Sequence, residues 1–249
     1  DVQVAWDRAI REPAPAEFCR LLAGSAILHV GRRAKLLLIS LSGGRVLIIH
    51  RKMSGNLIFV PPGSEDPWAR VTFTLDDGRR LVFSDPRKFG RMQLCQEDDL
   101  LMVTASLGPE PLEDAFTAHT LIGALAGRRA PLKALLLDQS LVAGLGNIYA
   151  DEALFLAKLH PLRTGASVTP EEAARLREAI RETLAAGIEH GGTTIGRHRD
   201  AFNEAGTNVD YLNVYQRTGA PCHVCGTAIA RIVVRQRSSH FCPHCQPEG

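Results

Sequence analysis

Short apolar runs separated by turn residues fill the first hundred positions. Lys35 to Leu41, Arg45 to His50, Gly55 to Val60, Val71 to Leu75 and Arg80 to Phe83 are punctuated by Gly43-Gly44, Pro61-Pro62-Gly63 and Asp76-Asp77-Gly78. Apolar, β-branched runs joined by Gly-Gly or Asp-Gly predict antiparallel hairpins, and hence a β-sandwich or barrel. The texture changes near Leu107-Gly108-Pro109-Glu110-Pro111, where Pro and Gly end the last strand. Phe116 to Gly127, Pro131 to Asp138 and Asn147 to Leu159 have helical composition. Thr169-Pro170-Glu171-Glu172 combines an N-cap, Pro at the first helical position and a capping-box Glu. In that helix Leu176, Ile180, Leu184 and Ile188 recur every fourth residue, which predicts one buried stripe ended by Gly191-Gly192. Gly196 to Gly206 is aperiodic and mixed in charge, and reads as a loop with the composition of a mobile segment. Ala228 to Arg235 is a β-branched strand, and Arg237 to Phe241 leads back beside it. The predicted architecture is α+β multidomain: a β-sandwich over 1–112, a helical domain over 113–215 and a small hairpin module over 216–249.

Composition refines this picture modestly. With 249 residues, 45% of them hydrophobic, the chain is long enough for two cored domains and a small module. No apolar run approaches the roughly 20 residues that span a bilayer, so a cytoplasmic protein with no membrane partner is expected. A net charge of +2 says little, but its distribution says more. From Arg32 to Arg91 twelve bases face five acids, and the C-terminal module adds Arg217, Arg231, Arg235 and Arg237 against Glu248. Two basic regions suit a polyanion; solvated cations on strand faces are the alternative.

Four cysteines carry the sharpest chemistry. Cys222-x-x-Cys225 and Cys242-x-x-Cys245 stand sixteen residues apart, and two such knuckles offer four thiolates to one tetrahedral Zn²⁺. Four protein ligands leave no open position, so the zinc is structural, and a clipped hairpin gains from it folding free energy it otherwise lacks. Two disulfides would be the alternative in a secreted chain. The isolated Cys19 and Cys95 and the absence of a visible signal peptide favour a reducing compartment.

Leu145-Gly146-Asn147-Ile148-Tyr149-Ala150-Asp151-Glu152 sets a Gly-led turn before a helix, where amides and the Asn147 side chain can grip a phosphate, or simply cap the helix. With Pro131-Leu132-Lys133 before it and His160-Pro161 after it, this stretch resembles the helix-two-turn-helix element of the formamidopyrimidine-DNA glycosylase and endonuclease VIII family. Further segments fall in the family's order: Arg32-Arg33-Ala34-Lys35, His50, Met53-Ser54-Gly55, Asp85-Pro86-Arg87-Lys88-Phe89-Gly90, Gly108-Pro109-Glu110-Pro111-Leu112, Gly192-Thr193-Thr194 and the four cysteines. Met-Ser-Gly and Asp-Pro-Arg-Lys-Phe-Gly look like the formamidopyrimidine branch.

The resemblance implies a base excision repair glycosylase with lyase activity, which removes 8-oxoguanine and formamidopyrimidines from duplex DNA and nicks the strand by β- and δ-elimination. It implies a monomer acting on double-stranded DNA with oxidised bases or abasic sites, nucleoid-associated when at work, with one structural zinc. Met53, Arg87 and Phe89 match the family's fillers of the void left by an extruded nucleotide; apolar core residues are the plainer reading of the Met and Phe. Lys35 matches a lysine used in β-elimination, and Arg237 a phosphate-binding arginine associated with δ-elimination. Arg129, Lys133 and Asn147 match DNA contacts. Glu152 matches a carboxylate supporting the catalytic centre, with a cap or a salt bridge inside the helical domain as the alternative.

Two departures stand out. The family attacks the sugar C1′ through an amino-terminal proline followed by glutamate, whereas this sequence opens on Asp1-Val2-Gln3-Val4, which resembles a later strand; Pro13 and Pro15 are internal. The expectation is that the catalytic end lies upstream. Trp68 stands where the family usually has a DNA-contacting histidine, and Arg51-Lys52 replace a usual Leu-Gly, adding basic charge near the Met53 turn. Other readings of the chain are a noncatalytic lesion-binding fragment, an endonuclease VIII-like enzyme for oxidised pyrimidines, and a zinc-ribbon protein of transcription or translation. The last leaves the Met-Ser-Gly and Asp-Pro-Arg-Lys-Phe-Gly motifs unexplained.

Overall fold

The computed structural model describes residues 1–61, 63–196 and 198–248. Pro62 of the expected 61–63 turn and Arg197 of the expected 196–206 loop lie outside the described residues. By contact the chain gathers into two units, Asp1–Ala105 with Gly191–Thr207, and Ser106–His190 with the residues from Asn208 onward.

The first unit is a β-sandwich. Its five-stranded sheet has the order β2 (Ile10–Glu12), β9 (Arg91–Gln96), β5 (Arg45–His50), β4 (Leu36–Leu41), β3 (Ile27–Arg33). Its four-stranded sheet has the order β1 (Val2–Val4), β7 (Ala69–Thr74), β8 (Arg80–Ser84), β6 (Asn56–Val60). Every pairing is antiparallel except β2 with β9. Alternation turns Ile39, Leu41, Leu47, Ile49, Met92 and Leu94 of one sheet and Val2, Val71, Phe73 and Phe83 of the other into one buried core. Helix α1 (Pro15–Leu22) adds Phe18 and Leu22 to it, and a short helix α2 (Leu100–Thr104) follows β9.

The second unit packs α3 (Ala118–Leu125), α4 (Leu132–Leu136), α5 (Asn147–Leu156) and α6 (Pro170–Glu189) around Leu121, Leu132, Leu136, Leu145, Leu154, Leu176 and Ile180. The capping box of α6 forms as expected: Glu172 N–H donates to Thr169 Oγ1 at 3.2 Å, and Thr169 N–H to Glu172 Oε2 at 3.0 Å. Its buried stripe departs from the strict fourfold repeat. Steps of four overshoot a 3.6-residue turn by about 40° each, so Ile188 rotates out to 65% exposure. Thr183 and Gly187 turn inward instead. Gly187 is where the Tyr149 ring presses in, with no room for a Cβ.

The hairpin β10 (Ala230–Val234) and β11 (Arg237–Phe241) pairs Ala230 with Phe241 through Val234 with Arg237. It joins the helices through a small core of Phe155, Val214, Cys222, Ile229 and Cys242. Among the described residues no helix is long and apolar enough to cross a membrane.

Candidate nucleic-acid interface and metal centre

Two turns of the sandwich carry the expected void fillers. One follows β5 and bears Met53; the other follows β8 and bears Arg87 and Phe89. Met53 is 53% exposed and Phe89 47%, so neither is a core residue. The Arg87 guanidinium lies 4.8 Å over the Phe89 ring and puts Nη1 3.8 Å from Met53 Sδ. The three side chains thus form one exposed cluster, joining apolar surface to a planar hydrogen-bonding group.

What holds the cluster is Asp85, which stands out in the sequence only as the first letter of a motif. It is buried, and its carboxylate accepts from Ser54 Oγ at 2.5 Å, Gly90 N–H at 2.7 Å and Arg87 N–H at 3.2 Å. Its own N–H donates to the Trp68 carbonyl at 2.9 Å, so Trp68 supports this site through its backbone. Beneath both turns lies the buried Phe83 ring. A Cβ on Gly55 would stand 2.9 Å from that ring and one on Gly90 2.2 Å, which is why both motifs end in glycine.

Lys35 sits at the β3–β4 hairpin turn, exposed, beside Ala34 with a left-handed φ of 52°. Its charge reaches His50. Burial, then Lys52 and Lys35, lower the His50 pKa to about 4, so the ring is neutral and its Nδ1 accepts from Lys52 N–H at 3.0 Å. Arg51 departs from the expectation of added surface charge: its guanidinium is tied inward to Gly55, Asn56, His198 and Arg199.

In the second unit Asn147 opens α5 as expected, with Gly146 as N-cap. Its Nδ2 donates to the Ser238 carbonyl at 3.3 Å and to Tyr215 Oη at 3.5 Å, and its buried Oδ1 has no partner among the described residues. Arg129 and Arg237 are exposed and suited to phosphates.

Lys133, expected to contact DNA, is occupied inside the protein in this structure. It is fully buried, with Nζ 2.7 Å from Asp151 Oδ1 and donating to the Ser238 carbonyl. Burial lowers its pKa, against the opposing pull of Asp151. Asp151 in turn accepts from Ser239 Oγ at 2.9 Å and His240 N–H at 2.9 Å. Together with Asp151 it fastens α4 and α5 to β11, the strand that presents Arg237.

Glu152 is likewise buried and engaged within its own unit. Its oxygens accept from Asn213 N–H at 2.7 Å, Asn213 Nδ2 at 3.1 Å, and Val214 and Tyr215 N–H at 2.9 Å each. The only advance signal for Asp85, Asp151 and Glu152 was an acid beside a glycine turn or on an apolar helix, which by itself does not separate a brace from a solvated charge.

The four cysteines converge as the spacing required: all four Sγ atoms lie within 4.8 Å of one another, with Cys222–Cys245 at 4.0 Å and Cys225–Cys242 at 3.4 Å. A tetrahedron with Zn–S bonds of about 2.3 Å has edges near 3.8 Å. The donor set fits one structural zinc with no open position. Bonds from Thr227 draw the Cys225 thiol down to about 6, while burial pushes Cys245 up to about 12.

Residues 1–92 match the Formamidopyrimidine-DNA glycosylase N-terminal domain, 107–199 the Formamidopyrimidine-DNA glycosylase H2TH domain, and 219–247 the zinc finger found in FPG and IleRS. The formamidopyrimidine-DNA glycosylase of Chloroflexus aggregans is 50% identical over 242 residues, 97% of this chain and 88% of that protein. The MutM (Fpg) structure from Thermus thermophilus superposes with a TM-score of 0.90 at 42% identity, covering 100% of this chain and 91% of that one. Lactococcus lactis Fpg, solved with abasic-site DNA, gives 0.93 at 31% identity over 99% of this chain and 91% of that one. The Lactococcus protein has also been solved with DNA containing an oxidised pyrimidine.

Proposed function

Because this chain belongs to the formamidopyrimidine-DNA glycosylase family, we propose that it is a base excision repair glycosylase that removes oxidised purines from duplex DNA and then cleaves the strand as a lyase. The observation that carries this reading is the exposed Met53–Arg87–Phe89 cluster on a buried carboxylate brace. Exposed apolar side chains on a rigid turn suit one task in a DNA enzyme: they occupy the stack when a nucleotide turns out. Met53 and Phe89 provide the wedge, and the Arg87 guanidinium bonds the base left without a partner.

In this reading Lys35 of the sandwich, and separately Arg237, Arg129 and Asn147 of the helical unit, each serve DNA phosphates, and Lys133 acts through Asp151 and β11. In the proposed chemistry an amine bonds the sugar C1′ as the glycosidic bond breaks and the base leaves. The resulting imine acidifies the neighbouring C–H, so that loss of a proton expels a phosphate. Lys35 and Arg237 stabilise the phosphates that leave. The zinc, bound by Cys222, Cys225, Cys242 and Cys245, stays out of the reaction and fixes the hairpin that carries Arg237.

The oxidised-pyrimidine DNA held by the Lactococcus relative supports a second specificity, and one experiment separates the two. The full gene product is incubated with duplexes carrying 8-oxoguanine, a formamidopyrimidine or an oxidised pyrimidine, with borohydride added to trap the imine. Release of the purine lesions, a trapped adduct and a nick are expected. Cleavage confined to the pyrimidine duplex would replace the purine reading, and binding without release on every duplex would replace the enzyme with a lesion binder.

A further inference from the structure

Residues 191–196 and 198–207 belong to a strap whose two ends meet. Thr193 bridges Thr207, and Gly206 lies so close to Gly191-Gly192 that a Cβ on it would stand 2.1 Å from the Gly192 carbonyl oxygen. Farther along, the strap is fastened to β6, the edge strand of its sheet. Phe59 N–H donates to the Ala201 carbonyl at 2.8 Å, the Phe202 ring tilts against Phe59 at 5.8 Å, and Arg199 N–H donates to Asn56 Oδ1 at 3.2 Å.

These fastenings converge on one side chain. The Arg51 guanidinium donates to the Gly55 carbonyl at 2.8 Å, Asn56 Oδ1 at 2.6 Å, the Arg199 carbonyl at 3.0 Å and His198 Nδ1 at 3.3 Å. The His198 ring also bonds the Met53 backbone. Two acceptors therefore sit at the end of the Met53 turn and the start of β6, and two sit on the strap. Nε donates to the Gly55 carbonyl while Nη2 faces Asn56, His198 and Arg199, so two nitrogens of one rigid plane span the turn and the strap, where an ammonium would have a single donor atom at the end of a flexible stem. A partly buried cation stripped of half its acceptors is costly, so the strap cannot lift away from Arg51 without straining the hold on the turn.

We propose that Arg51 is a positioning residue that locks the 198–202 strap to the Met53 turn, so that the two respond to lesion DNA as one body. This rests on the reading of Met53 as a void filler. Nothing in the chemistry above uses Arg51.

The test is amide hydrogen exchange on the intact zinc-loaded protein, with and without an 8-oxoguanine·cytosine duplex, for the parent, Arg51→Leu and Arg51→Lys. In the parent, the amides of 53–59 and 198–202 gain protection together on binding. In Arg51→Leu the strap is expected to exchange about tenfold faster and to gain no protection with DNA, although the turn still does. Single-turnover excision should fall about tenfold while duplex Kd stays within about threefold. Arg51→Lys should fall between, and it decides the matter if Arg51→Leu melts far below the parent. Parent-like strap protection in the variants would overturn the proposal, as would lost protection with an unchanged excision rate. A parent that excises no base would refute the functional reading, and the exchange pattern would still decide the lock.

Discussion

Ser54 Oγ donates to Asp85 Oδ1 at 2.5 Å, and this bond joins the Met53 turn to the turn that carries Arg87 and Phe89. Because the same carboxylate accepts from Gly90 and Arg87, Asp85→Ala strands three donors, one of them a buried backbone amide. A stability loss of about 2–4 kcal/mol is expected in urea unfolding, against about 1 kcal/mol for Ser54→Ala. Equal small losses from both would mean that the turns hold their shape without the brace.

Met53→Ala and Phe89→Ala remove exposed side chains, so the melting temperature should stay within about a degree or two. Excision from duplex should fall strongly, and affinity for an already abasic site should change little. Arg87→Ala should relax discrimination for cytosine opposite the lesion by about 1–3 kcal/mol. Lower thermal stability in all three, with equal losses on every substrate, would return them to the fold.

Lys133 and Arg129 separate a brace from a phosphate contact. Lys133→Ala leaves Asp151 buried without its cation, and about 3–5 kcal/mol of stability should be lost in denaturant unfolding. Arg129→Ala should leave stability unchanged, weaken binding on all sequences and reduce the salt slope by about 1. A Lys133→Ala protein of parental stability with a shallower salt slope would restore the direct contact.

This pair also marks how far sequence carried. The cysteine spacing, the capping box at Thr169 and Glu172, and the hairpin punctuation each encode a local requirement, so all three are visible in order along the chain. Lys133 and Asp151 are eighteen positions apart and meet only because two helices pack; no spacing rule announces them. Arg51 is more distant still, since His198 and Arg199 reach it through the fold. Ile188 failed for a local reason, because a strict repeat of four drifts around a helix of 3.6 residues per turn.

Chelation should release one zinc per chain, unfold the Cys222 to Cys245 module and weaken DNA binding together. The motivating geometry is Arg237 on β11, whose far end runs into Cys242. Zinc loss measured by a colorimetric chelator with duplex affinity unchanged would remove this hairpin from the interface.

Acid should loosen the sandwich as His50 takes up a proton. The His50 pKa is about 4 in the folded protein against 6.5 for the free side chain, so the unfolded chain takes up the proton first. Stability is full above about pH 6.5 and is lost as pH falls toward 4, by about 1 kcal/mol once solvent screening of a half-exposed ring is allowed for. His198, lowered in the same direction by burial and then Arg51, adds to it. Thermal melts of His50→Gln across this range should show a flatter slope, and a slope equal to the parent's would dismiss His50 as the source.

Phe83 lies at the floor of both turns, fully buried, with Gly55 and Gly90 resting on the same ring. The height at which Met53 and Phe89 stand above the sheet is thus a property of the interior. Reshaping that ring, for example to Leu or Tyr, would lower or raise both side chains at once, so the reach of the proposed wedge is expected to be tunable from a buried position.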